Sequence, residues 1–183
     1  MKSQSNRYGT VAITIHWLSA LLICALLASG FRAAGLTDGD AKIGILSAHV
    51  PMGITILALT LVRIAWWVFA DSKPASPKGD PIWQSLSAKA VHLLFYVVIL
   101  GMAASGIGML ALSGAGAIIL GAAAGDLPNF HDYAPRIPHG IGARVIVGLL
   151  VLHVGAALYH HFIKRDGLIW RMWYGSRADG DAK

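Results

Sequence analysis

Cysteine occurs once in the 183 residues, at Cys24, and all nine acidic residues are aspartate. A lone thiol excludes a disulfide framework, a thiolate zinc site and an iron–sulfur cluster within one chain. Haem attached covalently through Cys-x-x-Cys-His is excluded on the same ground. Charge is scarce too. Asp, Glu, Lys and Arg together make up 13% of the chain, about half the share usual in a soluble domain. With 56% of residues hydrophobic, a disordered chain is ruled out and a soluble enzyme disfavoured, which leaves an integral membrane protein. Against these shortages stands a surplus of histidine, eight in all.

The gaps between charges mark the membrane. Uncharged runs of 24 residues separate Arg7 from Arg32, 20 separate Lys42 from Arg63, 36 separate Lys89 from Asp126, and 19 separate Arg144 from Lys164. A helix rising about 1.5 Å per residue crosses a roughly 30 Å hydrocarbon core in about 20 residues. Three gaps fit one crossing each. The longest exceeds one crossing and falls short of two. Its second half, from Ser113-Gly114-Ala115-Gly116 to Gly125-Asp126-Leu127-Pro128, is rich in small residues and turn formers, as a loop or short interfacial helix would be. The pattern predicts an all-α, integral membrane four-helix bundle forming one domain over residues 1–183, with spans near 9–30, 43–69, 88–112 and 138–163 and a loop over 113–137. The first run exceeds the roughly 7–15 residues of a secretory signal core and contains His16-Trp17, so it is read as a span.

Cytoplasmic loops collect Lys and Arg. With four spans, the N-terminus, the 63–89 connection and the C-terminal tail share one side, which holds Lys2, Arg7, Arg63, Lys73, Lys78, Lys89, Lys164, Arg165, Arg171, Arg177 and Lys183. The other side holds Arg32, Lys42, Arg136 and Arg144. Eleven against four predicts that both termini are cytoplasmic. This asymmetry accounts for the net charge of +6 without a nucleic-acid partner, and no aromatic-interleaved basic patch is present. Trp66, Trp67, Trp83, Trp170 and Trp173 fall near the predicted cytoplasmic interface, where amphipathic rings settle. The stretch from Asp71 to Pro81 reads as a Pro-punctuated cytoplasmic linker.

Of the histidines, His16, His49, His92, His139, His153, His160 and His161 lie in or at the ends of predicted spans; His131 does not. One such residue alone reads as a hydrogen-bonded packing histidine. Several, spread over all four spans, point to ligation, because ionisable groups inside a bilayer are costly and usually functional. His139 and His153 are 14 residues apart. At about 100° per residue they project from nearly one face, separated by about 21 Å along the axis. A single mononuclear site cannot span that distance, whereas two stacked sites can. Depth selects the partners. His16 lies about 13.5 Å inside Arg7 and His153 about 16.5 Å inside Lys164, both from the cytoplasmic side. His49 and His139 approach from the outer side, near Lys42 and Arg136. The pairing is therefore His16 with His153 and His49 with His139. Two levels of two imidazoles suit two bis-histidine haems in a helix bundle. A bare metal ion is the competitor, but zinc takes four ligands in a closed site and no buried carboxylate or thiolate accompanies these histidines. Gly53, Gly140, Gly142, Gly148 and Gly155 leave room near the ligands, or simply let membrane helices approach closely.

Ile15-His16-Trp17, Ala48-His49-Val50 with Gly53, and Leu152-His153 through Tyr159-His160-His161-Phe162 resemble the bacterial cytochrome b561 family, over nearly the whole chain. Within it the likeness leans to members of the bacterial inner membrane that oxidise superoxide. The resemblance implies two non-covalent haem b groups held by His16, His49, His139 and His153, with ubiquinone as a substrate. It also implies one-electron oxidation of superoxide to dioxygen at the outer face, an oxidoreductase of the superoxide:ubiquinone type. Arg144 and Arg136 are candidates for a haem propionate or an anionic substrate, or else anchor the span at the interface. A positive outer mouth would raise the encounter rate of an anion such as superoxide. His160 lies seven residues after His153, only about 20° off its face and about 10.5 Å nearer the cytoplasm. It is the first candidate for quinone contact, and His92 the second. His161, Lys164 and Arg165 read as an interfacial charge cluster. Two other classes stay open: an electron-transfer or anchor subunit of a larger membrane complex with a separate electron donor, and a haem-free histidine-lined transporter. The transporter lacks the carboxylate inside a span that proton or cation relay would need.

Overall fold

The computed structural model describes residues 2–75 and 81–174. Lys78, Arg177 and Lys183 of the charge asymmetry, and residues 76–80 of the linker, lie outside the described residues. Four helices long and apolar enough to cross a membrane dominate the described chain, which contains no strand. They are α1 (Thr10–Gly35), α2 (Gly39–Ala65), α3 (Ile82–Ser113) and α5 (Arg136–Tyr159), with a short α4 (Ala115–Ile119) between the last two. Each begins or ends where the backbone chemistry requires. Asp38 caps α2 by accepting from the Ala41 amide at 3.1 Å, satisfying a donor that the helix cannot. Pro81 precedes α3, and Gly114, at φ +68°, ends it in the left-handed region that only glycine adopts cheaply.

The helices correspond to the four expected spans but outrun them. α1 continues to Gly35 rather than 30, and α3 starts at Ile82 rather than 88. Charge gaps measure the hydrocarbon core, whereas a helix continues into the interface until a cap or proline stops it. The 113–137 segment holds α4 and a single 3₁₀ turn (Phe130–Asp132), in keeping with a loop carrying a short helix.

α2 and α5 both end in a π turn, over Trp66–Ala70 and His160–Lys164. π turns recur at functional sites, and these two lie at the same end of the bundle. Arg165, at φ +54°, and Gly167, at φ +71°, then reverse the chain into a 3₁₀ turn, Leu168–Met172. Four segments are tied together at this end. The Tyr8 amide donates to Arg171 O at 3.1 Å; the Arg171 guanidinium donates to Asn6 O and Ala75 O, each at 2.8 Å. The Trp17 indole donates to Met172 O at 2.9 Å, and Lys164 donates to Gln84 at 2.9 Å.

α1 packs along α2 and α3 along α5, with α2 meeting α3 to join the two pairs. Outward faces are apolar and exposed, as Leu21 at 68% and Val151 at 67% illustrate. Among the described residues no large side chain is fully buried, and the core is chiefly alanine, isoleucine and leucine.

Asp71 closes the N-terminal segment onto α2. It accepts from the Ser3 hydroxyl at 2.8 Å, the Ser3 amide at 3.0 Å and the Trp66 indole at 3.2 Å. Burial works against ionisation, but the Ser3, Ser72 and Trp66 hydrogen bonds outweigh it and hold the carboxyl below its ordinary range. A depressed folded value stabilises above the ordinary carboxylate range and is lost as pH falls through the folded one. The Ser3 amide should therefore be protected from hydrogen exchange at neutral pH and lose protection in acid. In Asp71→Asn that acid-dependent loss should vanish.

Candidate functional site

Three helices bring rings together toward the end where the termini meet. His16 on α1 and His153 on α5 have ring centroids 6.2 Å apart, with planes inclined at 63°. His92 on α3 lies 5.4 Å from His153, its Nδ1–H donating to Ala88 O at 2.6 Å. Its neighbours place it beside the His16–His153 pair. Arg63 on α2 sets both terminal nitrogens of its guanidinium 3.4 Å from His16 Nδ1, while its Nε is buried without a hydrogen-bond partner. Lys73 follows shortly after α2. Burial first, and then the charge of Arg63, push its ammonium below the ordinary lysine value.

Toward the opposite end, His49 on α2 and His139 on α5 have centroids 6.4 Å apart, inclined at 65°. His49 Nδ1 lies 2.8 Å from the Ser29 hydroxyl on α1. His139 Nδ1 lies 3.0 Å from the Ser105 hydroxyl on α3 and 3.1 Å from Met102 O. The two pairs share α5, where 14 residues of helix separate them by about 21 Å.

Arg136 and Arg144 converge over Gly140 at the start of α5. Arg144 donates to Gly140 O at 3.0 Å, and a Cβ at Gly140 would stand 2.9 Å from Arg136 Nη1 and 3.6 Å from Arg144 Nη1. A side chain at 140 would push the Arg136 guanidinium aside. No carboxylate among the described residues is paired with either. His160, in the π turn that ends α5, hydrogen-bonds through Nδ1 to Asp166. Burial opposes ionisation of Asp166, but hydrogen bonds from His160 and the Leu168 amide, with the charge of Lys164, hold its carboxyl below the ordinary range. His161 stacks edge-on against Phe162 and Trp170, at 4.7 and 6.1 Å, as an interfacial residue would.

Glycine leaves open space on the histidine-bearing helices, and two further glycines face the outer imidazoles. A Cβ at Gly53, Gly148 or Gly155 would meet nothing within 4 Å, Gly142 adjoins Met102, and Gly140 adjoins the two arginines. The glycines that touch the outer imidazoles are Gly30, on α1 facing His49, and Gly106, on α3 facing His139. An imidazole reaches away from its own helix, so it needs space on the facing one. Ser29, Ser105 and Arg63 also escaped the sequence reading. A polar residue interrupting each apolar span was the available signal, but Arg63 served only to bracket a span.

Residues 7–175 match the family described as Prokaryotic cytochrome b561. Cytochrome b561 homolog 2 of Escherichia coli is 28% identical over 180 residues, 95% of each chain. The probable superoxide oxidase CybB of Yersinia pestis is 28% identical over 171 residues, 91% of this chain and 96% of its own. Cytochrome b562 of Cereibacter sphaeroides is 27% identical over 177 residues, 93% of this chain and 97% of its own.

The α3–α5 contact that carries His139 can be tested by crowding it. A Cβ at Gly142 would lie 2.5 Å from Met102 Sδ, whereas one at Gly148 meets nothing within 4 Å. Gly142→Val should cost about 1–3 kcal/mol through overpacking, read as an earlier thermal transition in detergent. Gly148→Val should leave the transition nearly unmoved.

Proposed function

The chain belongs to the prokaryotic cytochrome b561 family of membrane haem b electron-transfer proteins, and on that premise we propose that it is a dihaem oxidoreductase moving electrons between an outer-face donor and ubiquinone. Two histidine pairs stacked along one helix carry this reading. Each pair of imidazoles would hold one haem iron between them, His16 with His153 and His49 with His139. Separations of 6.2 and 6.4 Å suit that arrangement. Haem brings four nitrogens of its own, so two side chains per iron suffice. Among the described residues no group of three or more His, Cys, Asp or Glu is arranged to hold a bare ion. Arg63 adds a second sign of fit: a buried, orphaned Nε on a half-buried side chain suits a carboxylate such as a haem propionate.

His16 and His153 would hold the haem nearer the cytoplasm, His49 and His139 the outer one. When bound, haem b supplies reversible one-electron chemistry at its iron. The apolar helices keep water from the ligand nitrogens, and Arg63 supplies a charge that would retain an anionic edge.

The excess of basic residues on one side supports cytoplasmic termini and insertion in the bacterial inner membrane. Reduction of ubiquinone to quinol takes two electrons and two protons. His160, hydrogen-bonded to Asp166, is positioned to pass a proton to a bound quinone, with His92 the alternative closer to the inner pair. Two superoxide anions, each losing one electron, would match one quinone. Arg136 and Arg144, drawn together without a carboxylate, supply the positive field that would gather such an anion.

Protein purified in mild detergent should give a dithionite-reduced minus oxidised spectrum of two low-spin b-type haems per chain. His16→Ala or His153→Ala should remove one haem, and His49→Ala or His139→Ala the other. Folded protein from haem-replete cells with no haem would contradict the assignment. Superoxide should drive reduction of a soluble ubiquinone analogue by the isolated protein; both haems without that activity would favour a subunit of a larger complex.

Removing both outer charges, in Arg136→Gln with Arg144→Gln, should slow superoxide oxidation about tenfold at low salt and abolish its ionic-strength dependence. Unchanged rate and salt dependence would return these arginines to simple anchoring.

A further inference from the structure

The two outer imidazoles are braced by the same dipeptide. Ser29-Gly30 on α1 faces His49 of α2, and Ser105-Gly106 on α3 faces His139 of α5. In both, serine meets Nδ1 and glycine meets Cε1. A Cβ would lie 3.2 Å from His49 Cε1 at Gly30 and 3.4 Å from His139 Cε1 at Gly106, with Nδ1 3.8 Å away in each case. Two helices that are not neighbours in sequence thus repeat one arrangement against two different partners.

The serine protons decide the tautomer. A hydroxyl has one proton to give. Ser29 directs its own to Ala25 O at 2.7 Å, and Ser105 to Met102 O at 2.9 Å. Each oxygen then faces Nδ1 with a lone pair, so Nδ1 carries the proton and donates. Met102 O, 3.1 Å from His139 Nδ1, is a second acceptor for the same proton. A neutral imidazole protonated at Nδ1 keeps its free lone pair on Nε2.

The inner pair is treated otherwise. His16 Nδ1 faces Arg63, which has donors and no acceptor. Thus the outer rings meet acceptors, while the inner end meets a cation.

We propose that the two Ser-Gly steps are matched supports that hold His49 and His139 in the Nδ1–H tautomer, with Nε2 as the ligand nitrogen, and that they set the outer haem's reduction potential below the inner one's. The proposal rests on the dihaem reading. A ligand imidazole that donates its other N–H is more basic, and a more basic ligand favours ferric over ferrous iron. A guanidinium beside the inner site has the opposite effect, favouring the state with one more electron. The resulting order lets electrons entering from outside run inward.

The test is an optical redox titration of the full-length protein in mild detergent, with haem content measured alongside. The wild type should show two resolved midpoints. Ser29→Ala and Ser105→Ala should each raise the lower midpoint, and the double variant more than either. Second-shell partners are commonly worth tenfold or more in metal affinity; a tenfold change in ferric preference is about 59 mV for a one-electron couple. The upper midpoint should stay put, and Ser→Thr at each position, which keeps the hydroxyl, should restore the lower one. Loss of the outer haem alone in the double variant, with recovery by threonine, also supports the proposal. Coincident wild-type midpoints, an unmoved or lowered lower midpoint, a moved upper midpoint, or threonine behaving like alanine would each overturn it. Wild-type protein lacking two haems would instead remove the dihaem reading beneath it, and the haem measurement separates the two failures.

Discussion

An imidazole placed inside an apolar helix must find something for both of its nitrogens, because a polar group left unmet in hydrocarbon is costly. Much of this architecture follows from meeting that demand at His16, His49 and His139. The outer pair meets it at Nδ1 with serine hydroxyls on facing helices, leaving the other nitrogens to each other's neighbourhood 6.4 Å apart by centroid. The inner pair has a guanidinium at the corresponding nitrogen of His16. Since α5 contributes to both pairs, the packing of α3 against α5 and of α1 against α2 is also what aligns the site. Helix packing and the pairing of the imidazoles are one constraint here.

The two ends of the bundle divide the remaining work. At the end carrying the N-terminal segment, hydrogen bonds from Arg171, Trp17 and Lys164 join segments that are distant in sequence, and the π turn that ends α5 brings His160 to Asp166 there. Rigidity and titratable groups are concentrated at this end. The opposite end has looser chemistry: a short α4, a long irregular segment, and two arginines sharing the space above Gly140. The tied end carrying the His160–Asp166 pair, and the opposite end where two arginines have no carboxylate partner among the described residues, suit the proposed quinone and anion sites.

Much of this was legible from residue positions. Charge gaps located four helices, because a bilayer core imposes a length and tolerates little charge within it. The pairs His16–His153 and His49–His139 followed from depth alone, since rise per residue converts sequence distance from a flanking charge into height. Rotation about the axis was legible on α5, where 14 residues return nearly to one face. What faces a ring across an interface was not. Ser29, Gly30, Ser105 and Gly106 are near their histidines only once α1 meets α2 and α3 meets α5, and single-helix periodicity carries no such information. Arg63 was visible as a charge, but its place beside His16 depends on how α2 rotates against α1.

Electron paramagnetic resonance of the oxidised protein tests the central claim most directly, because it reports the axial ligands of each ferric centre separately. Two low-spin signals of equal intensity, both of the bis-imidazole type, are predicted, with His139→Met altering one and leaving the other intact. A single low-spin signal, or a high-spin centre in the wild type, would contradict the assignment of two histidine-paired sites.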